Sequence, residues 1–217
     1  MKNPLEITER TKVNRLSNRA NYDREVIYQI LDEAKICHIS FIYEGKPVVI
    51  PTSYGRKDHL LYIHGALNSR MLVEMEKGID ISLSVTLIDG LVLARSAFHH
   101  SMNYRSVVIF DQARLLSDFE EKKEALRIIT NHLVPARWEE CREINRGEIE
   151  GTKVLTISIE EASAKIRTGG PKDAKPDYQL PIWAGVIPCK MQYGEFVEDS
   201  EQHQDAVTPE SVKNFYL

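Results

Sequence analysis

The segment at 63–70, IHGALNSR, combines residue types that suit an anion-binding site. An apolar strand pattern ends at His64, Gly65 permits a sharp turn, and a helix is predicted to begin soon after, as late as Ser69. A helix N-terminus presents unpaired backbone N–H groups and a partial positive charge, so it attracts phosphate. The Ser69 hydroxyl would add a further donor. The segment therefore indicates a phosphate site.

Arg70 is the most informative residue of this segment. In the first turn of a helix its positive charge opposes the helix dipole, and a bound anion would remove that conflict. The alternative is an exposed Arg70 that pairs with Glu74 one turn later. These residues alone leave both interpretations open.

A second polar and basic stretch, NYRS at 103–106, leads into a β-branched strand. Alternation along a strand places Arg105 and Val107 on one face and Ser106 and Val108 on the other. If the strand lies in a barrel wall, Arg105 is beside apolar residues and needs an anionic partner. The alternative is that Arg105 reaches solvent at the strand edge.

The common catalytic and metal-binding signatures are absent from the sequence. It has no GxSxG elbow, no Walker-type GxxxxGK loop, no GxGxxG and no HExxH. His99 and His100 are a poor chelating pair, because adjacent strand residues face opposite sides. The 3 cysteines have neither metal-ligand spacing nor the even number of a disulfide framework. We predict no metal site and assign no catalytic residue.

The elements that must position these residues are predicted to be mainly antiparallel β-structure with flanking helices. Helices are expected at 21–34, 67–77, 119–133 and 138–144. Strands are expected at 36–43, 48–54, 59–64, 79–87, 91–97, 104–116 and 153–159. Asp89-Gly90 predicts a tight turn between two of these strands. Strands joined by short turns are typical of a barrel or a sandwich.

Composition favours one domain with appendages, since 217 residues with 42% hydrophobic content can bury one proper core. With a formal net charge of −4, the chain lacks the overall positive charge that is typical of nucleic-acid-binding proteins. The N-terminus lacks an apolar signal core, and no apolar run approaches the ~20 residues of a membrane helix. We expect a cytoplasmic protein without a nucleic-acid or membrane partner. Its predicted parts are an N-terminal arm (1–20), a barrel domain (21–167) and a tail packing partly on the barrel (168–217).

Several stretches, in this order, resemble one group of the pyridoxamine 5′-phosphate oxidase-like superfamily. They are HGALNSR, SLSVTLIDGLVLARSAFHHSMNYRSVVIF, HLVPARW, AKIRTGGPKD and LPIWAGVIP. The group includes flavin-nucleotide-binding proteins and 5-nitroimidazole-resistance reductases. The similarity runs roughly over 20–190. It implies an FMN-binding split β-barrel and a homodimer with FMN at the subunit interface.

The resemblance also implies which residues bind the cofactor. They are Pro51, Thr52, Ser53, His64, Gly65, Ser69, Arg70, Asn103, Tyr104, Arg105, Ser106 and Trp183. Ser69 and Arg70 match the positions that meet the FMN phosphate, and the strand at 51–53 matches the one along the isoalloxazine ring. Trp183 is placed near the flavin or the dimer seam, and its alternative role is an aromatic anchor docking the tail onto the barrel.

The expected function is an FMN-dependent oxidoreductase that moves hydride or electrons between a small-molecule donor and a small-molecule acceptor, such as a nitro compound. The C-terminal substrate-phosphate signature of true pyridoxamine 5′-phosphate oxidases is not visible, so vitamin B6 oxidation is not expected. One alternative is a haem-binding or haem-handling protein on the same barrel, with His38, His64 or the 99–100 pair as an axial ligand. Another is a flavin carrier without turnover. FAD and deazaflavin remain alternatives to FMN.

Overall fold

The computed structural model describes residues 3–216, and residues 1, 2 and 217 lie outside the described part. Its strands are β1 (Ala20–Asn21), β2 (Ile36–Tyr43), β3 (Lys46–Ser53), β4 (Gly55–Lys57), β5 (Leu60–Ala66), β6 (Asp80–Leu93), β7 (Ser101–Gln112), β8 (Arg114–Leu115), β9 (Thr152–Ser158), β10 (Ala162–Arg167) and β11 (Gly185–Pro188). Its α-helices are α1 (Arg24–Glu33), α2 (Arg70–Met75), α3 (Phe119–Leu133), α4 (Arg146–Glu150) and α5 (Glu210–Lys213). None of the helices within 3–216 is both long and apolar enough to cross a membrane.

The strands form two sheets. The first has the order β1-β10-β7-β6-β2-β3, with β11 also paired to β6, and the second has the order β4-β5-β9-β8. The pairings of β10 with β1 and β7, of β11 with β6, and of β5 with β4 and β9 are antiparallel. The prediction of a mainly antiparallel sheet with flanking helices is therefore confirmed.

The chain divides into two compact units. The first unit contains Met1–His38, Ser82–Phe110 and Glu160–Met191. The second unit contains Ile39–Ile81, Asp111–Ile159 and Gln192–Leu217. Within the first unit, Ile27, Leu31 and Val107 are fully buried, and within the second, Leu61 and Ile157 are. The sequence elements of each unit are thus interleaved along the chain.

Two helices follow directly from caps and apolar spacing. Asp23 caps α1 by accepting a hydrogen bond from the Glu25 backbone N–H at 3.0 Å, and the helix buries apolar residues at 27, 30 and 31. Asp118 caps α3 by accepting from the Glu121 N–H at 2.9 Å. These caps place both helices within a few residues of their predicted bounds.

Helix α3 lies very close to strand β4 in the second unit. A Cβ atom added at Gly55 in β4 would lie 2.7 Å from both the Cα and the N atom of Ile129 in α3. Only glycine fits between these two backbones, because no side-chain rotation could relieve that contact.

The predicted tight turn at Asp89-Gly90 is wrong. Strand β6 continues through both residues, and Gly90 pairs with Pro188 of β11. A Cβ at Gly90 would lie 2.9 Å from the Val186 Cγ1 atom and 3.1 Å from the Ile187 carbonyl oxygen. The glycine therefore permits the close approach of a strand that comes from far along the chain, which no local pattern reveals.

The predicted helix at 138–144 is also wrong. A short 3-10 helix covers only Trp138–Glu140, and α4 begins just after the predicted helix ends. Asn145 caps α4: its side chain accepts from the Glu148 N–H, and the Glu148 carboxylate accepts from the Asn145 N–H, both at 2.9 Å. This reciprocal pair is a capping box.

Candidate functional site

The turn from β5 to α2 carries the predicted phosphate-binding residues of the second unit. Strand β5 runs through Gly65 to Ala66, two residues beyond its predicted end, and Ser69 precedes the first residue of α2. The sharp turn predicted at Gly65 is therefore displaced. A Cβ at Gly65 would lie 3.0 Å from the Leu72 Cδ1 atom, so the glycine lets α2 pack closely on β5.

Ser69 occupies the N-cap position of α2 without capping it through its side chain. Its backbone N–H donates to the Ala66 carbonyl at 2.9 Å, but its hydroxyl makes no hydrogen bond to the helix N–H groups. N-cap serines usually satisfy one of those groups. The half-buried hydroxyl is thus positioned beside the turn without being used by the helix.

Arg70 is exposed, and its guanidinium carbon lies 5.1 Å from the centroid of the Tyr43 ring. The alternative pairing with Glu74 does not form, because Glu74 accepts from the Lys77 ammonium at 2.7 Å. Within residues 3–216 no carboxylate pairs with Arg70. Its charge is held over an aromatic face, where it keeps the capacity to bind an anion.

His64 lies in β5, paired with Val154 of β9. The Nδ1 atom of its ring is buried and has no hydrogen-bond partner among the described residues. Burial lowers the pKa of the imidazole from its usual value, because desolvation disfavours the charged ring. Burial therefore favours the neutral ring. A buried ring nitrogen without an internal partner is a destabilising arrangement unless a ligand compensates it.

The residues at 51–53 form the end of β3, which is the last strand of the first sheet. Pro51 is exposed, and Thr52 and Ser53 are half-buried. Proline is tolerated here because an edge strand has one side without ladder hydrogen bonds. The predicted hydrogen bonding of these backbone groups to a flavin ring stays a prediction.

Strand β7 carries the second predicted group, in the first unit. The buried Asn103 accepts a hydrogen bond from Arg167 and donates to the Gly169 carbonyl at 3.1 Å. Tyr104 lies opposite Arg167 in the β7–β10 register. The Ser106 hydroxyl donates to the Lys165 carbonyl at 3.3 Å.

Arg105 has anionic partners of its own. Its Nη2 atom lies 2.7 Å from the Asp89 carboxylate and 2.8 Å from that of Glu33. Hydrogen bonds to Glu33 and then to Asp89 raise the pKa of this guanidinium further above its usual range. The requirement for an anionic partner is therefore met inside the protein, and a role of Arg105 toward a cofactor stays a prediction.

Trp183 precedes β11 in the first unit and is 66% exposed. Its ring folds over Gly185, where a Cβ would lie 2.8 Å from the Trp183 Cζ2 atom. An aromatic residue that docks the tail onto the barrel would be buried, so this alternative role of Trp183 is wrong for the single chain. The tail is held instead by the pairing of β11 with β6.

The structure brings the predicted residues together in two sets. One comprises His64, Gly65, Ser69 and Arg70 at the β5–α2 turn, and the other comprises 103–106 along β7. A groove of about 560 Å³ on the second unit is lined by other residues, including Leu60, Tyr62 and Glu124. Arg167 was not predicted from the sequence, because its short strand, ASAKIR, has few residues of high β-propensity.

The pyridoxamine 5′-phosphate oxidase family profile matches residues 23–166. The chain belongs to this family. The resemblance inferred from the sequence and the split-barrel fold class are both confirmed. No curated protein sequence matched the chain.

Among solved structures, this family member is similar to the flavocytochrome Anf3 from Azotobacter vinelandii, with 40% identity, a TM-score of 0.90, and coverage of 95% of this chain and 96% of that one. It is also similar to the FAD and haem binding protein from Mycobacterium smegmatis, with 31% identity, a TM-score of 0.87, and coverage of 91% and 97%. A candidate 5-nitroimidazole antibiotic resistance protein from Bacteroides thetaiotaomicron shares 22% identity over 68% of this chain and 86% of that one, with a TM-score of 0.58. The last likeness concerns the fold alone.

Proposed function

We propose that this protein is a redox protein that binds both a flavin and a haem. The observation that carries the proposal is 40% identity over 95% of the chain with a flavocytochrome, supported by a second relative that binds FAD and haem. The proposal joins two functions that the sequence left as alternatives, an FMN-dependent oxidoreductase and a haem-binding protein. The flavin is FMN or FAD, since both carry the phosphate that the β5–α2 turn suits.

The flavin would be held through its phosphate by Ser69 and Arg70. The Ser69 hydroxyl is not used by α2, and the Arg70 guanidinium has no carboxylate partner in the described chain. A cation and a hydroxyl donor side by side suit a phosphate oxyanion. A bound flavin supplies the hydride or electron chemistry, and these residues bind and orient it.

Arg70→Ala is expected to weaken flavin binding about 10- to 100-fold, because one charge-assisted hydrogen bond contributes roughly 1.5–3 kcal/mol. Flavin fluorescence quenching in a titration measures the effect. Arg146→Ala is the matched control, an exposed arginine of the same unit that pairs with Glu150. Equal affinity in the Arg70 and Arg146 variants would remove Arg70 from the site. Arg105 is a poorer probe, because its loss also leaves Glu33 and Asp89 without their partner.

The haem would be held by His64, whose ring nitrogen would bind the iron. Ligation needs a neutral imidazole, and burial lowers the pKa of His64 in the required direction. The other candidates fit less well, because His38 and His100 are both exposed. The unpartnered Nδ1 of His64 remains for a second interaction when the ring binds a ligand.

We also propose a homodimer. Large apolar side chains are exposed on β6, on β11 and just before β11, in the first unit: Ile88, Leu91, Ile182, Trp183 and Ile187. Leu91 and Ile187 are directly paired across the two strands. Exposed apolar patches mark protein interfaces.

The substitution Leu91→Lys is expected to shift the protein toward monomer, as measured by sedimentation velocity. The control substitution Val207→Lys should leave the dimer intact. If both variants remain dimeric, the interface lies elsewhere.

The redox activity is tested by anaerobic reduction of the purified full chain. NADH or NADPH is added in turn, and visible spectra follow the flavin and haem bands. We expect one nucleotide to bleach the flavin and to shift the haem to its reduced spectrum. Reduction by dithionite but by neither nucleotide would favour a different donor or a flavin carrier. A chain whose cofactors dithionite cannot reduce would contradict the redox function.

A further inference from the structure

Arg167, at the end of β10, is a buried cation with neutral partners. Its side chain is 7% exposed, and its guanidinium donates to the Asn103 side-chain oxygen and to the carbonyls of Gly169 and Gly170, both at 3.2 Å. No carboxylate pairs with it in the part of the chain that the structure describes. A buried charge without a counter-ion is strongly unfavourable, so such a guanidinium usually has an anion beside it.

The three acceptors use only part of the hydrogen-bonding capacity of Arg167. Two of the acceptors are within hydrogen-bond distance of Nη1 and one is within hydrogen-bond distance of Nη2, in a group that has five N–H donors. The Nε–H has no acceptor among residues 3–216. Nε and Nη2 share one edge of the planar guanidinium, and such an edge binds a carboxylate or a phosphate through two parallel hydrogen bonds.

Arg19 adds a second positive charge beside Arg167. Arg19 directly precedes β1, and β1 pairs with β10 with Ala20 opposite Lys165, so the chain brings Arg19 next to the strand that ends at Arg167. Burial, and after it the charge of Arg19, lower the pKa of Arg167. Arg19 is half-buried, and within the described residues its side chain forms no ion pair. Two neighbouring cations without an acidic side chain leave a local positive potential that attracts anions.

The loop after β10 leaves room for a ligand. Gly169 has a φ of +90°, and a Cβ built at Gly169 or Gly170 meets no atom within 4 Å. The positive φ favours glycine and lets the loop turn its carbonyls toward Arg167. The space beside both glycines is therefore open.

We propose that Arg167 and Arg19 form a binding site for an oxyanion, a phosphate or a carboxylate, with Asn103 and the 169–170 loop holding the Arg167 guanidinium in place. Three ligands carry a suitable oxyanion: the flavin through its phosphate, the haem through a propionate, and free phosphate. For the first two sources the inference rests on the cofactor binding proposed above. For free phosphate the inference is independent of cofactor binding.

The test compares Arg167→Gln and Arg19→Gln with the Arg146→Gln control. Flavin and haem retained per chain after gel filtration are quantified by extraction, and each affinity is measured by titration. In parallel, the thermal midpoint of each protein as purified is recorded against inorganic phosphate at constant ionic strength. We expect the two site variants to weaken one of these three ligands about 10- to 100-fold while the control does not.

Each arm identifies a source. Selective loss of flavin affinity assigns the flavin phosphate, selective loss of haem affinity assigns a propionate, and loss of phosphate stabilisation alone assigns a free-anion site. If Arg167→Gln does not fold, the Arg19→Gln and Arg167→Lys variants test the site instead. Lysine keeps the positive charge but cannot form the bidentate hydrogen bonds of a guanidinium. Unchanged affinities in the folded variants, with no phosphate stabilisation of the wild type, would overturn the site. A wild type that holds neither cofactor would refute the proposed function, and the phosphate arm would still decide the site.

Discussion

Replacing His64 with alanine is expected to abolish haem retention while the flavin remains bound. His64 would bond directly to the haem iron, and no other histidine in residues 3–216 combines burial with an unpartnered ring nitrogen. Loss of that bond should remove the sharp haem band from the visible spectrum of the purified variant. The flavin band should persist, because Ser69 and Arg70 are intact.

The controls for His64 separate ligation from folding. His99→Ala removes a histidine that lies edge-on to Phe98, with ring centroids 5.2 Å apart, and should keep the haem. The His64 variant should stay folded, because the substitution also removes a buried nitrogen that lacked a partner. Added imidazole should partly restore haem binding. If the variant keeps its haem and loses flavin instead, His64 serves the flavin phosphate, as the family resemblance implies.

Gly55→Ala is expected to destabilise the fold by about 3 kcal/mol, at the upper end of the usual range for overpacking. The new methyl group would lie 2.7 Å from the Ile129 Cα and N atoms and 2.9 Å from the Ile128 carbonyl carbon. These are backbone atoms, so relief requires α3 to move away from β4. That movement would disturb packing across the second unit, including α3 against β5.

Urea unfolding measures this change as a lower midpoint at an unchanged slope. Gly194→Ala is the matched control, because a Cβ there meets no atom within 4 Å and its φ is not in the left-handed region. The control should stay close to the wild type. A Gly55 variant as stable as the control would show that α3 does not lie against β4 in this way.

The elements that sequence predicted well are those with a local cause. Both α1 and α3 have an acidic N-cap and an apolar stripe at helical spacing, and β2 has alternating burial. Helix α4 was missed although its capping box is local, whereas β11 was missed because it depends on a distant partner. Asp89-Gly90 has the composition of a tight turn, yet β11 pairs there from about a hundred residues later in the chain.

The residues of the candidate site likewise fall into those with a local sequence signal and those that depend on distant contacts. Ser69 and Arg70 were predicted because a helix start is a local signal. The partners of Arg105 were not, because Glu33 and Asp89 come from a helix and a strand far apart in sequence. The unpartnered Nδ1 of His64 and the neutral partners of Arg167 are properties of packing, and no residue spacing encodes them.

The combined binding of flavin and haem is tested most directly by quantifying both cofactors in one sample of the purified full chain. Flavin is released by denaturation and identified by chromatography and mass, and haem is measured as its pyridine complex. We expect flavin bands beneath a sharp haem band, with each cofactor present in an amount close to that of the chain. A colourless protein that takes up neither flavin nor haem when both are added would contradict the combined binding.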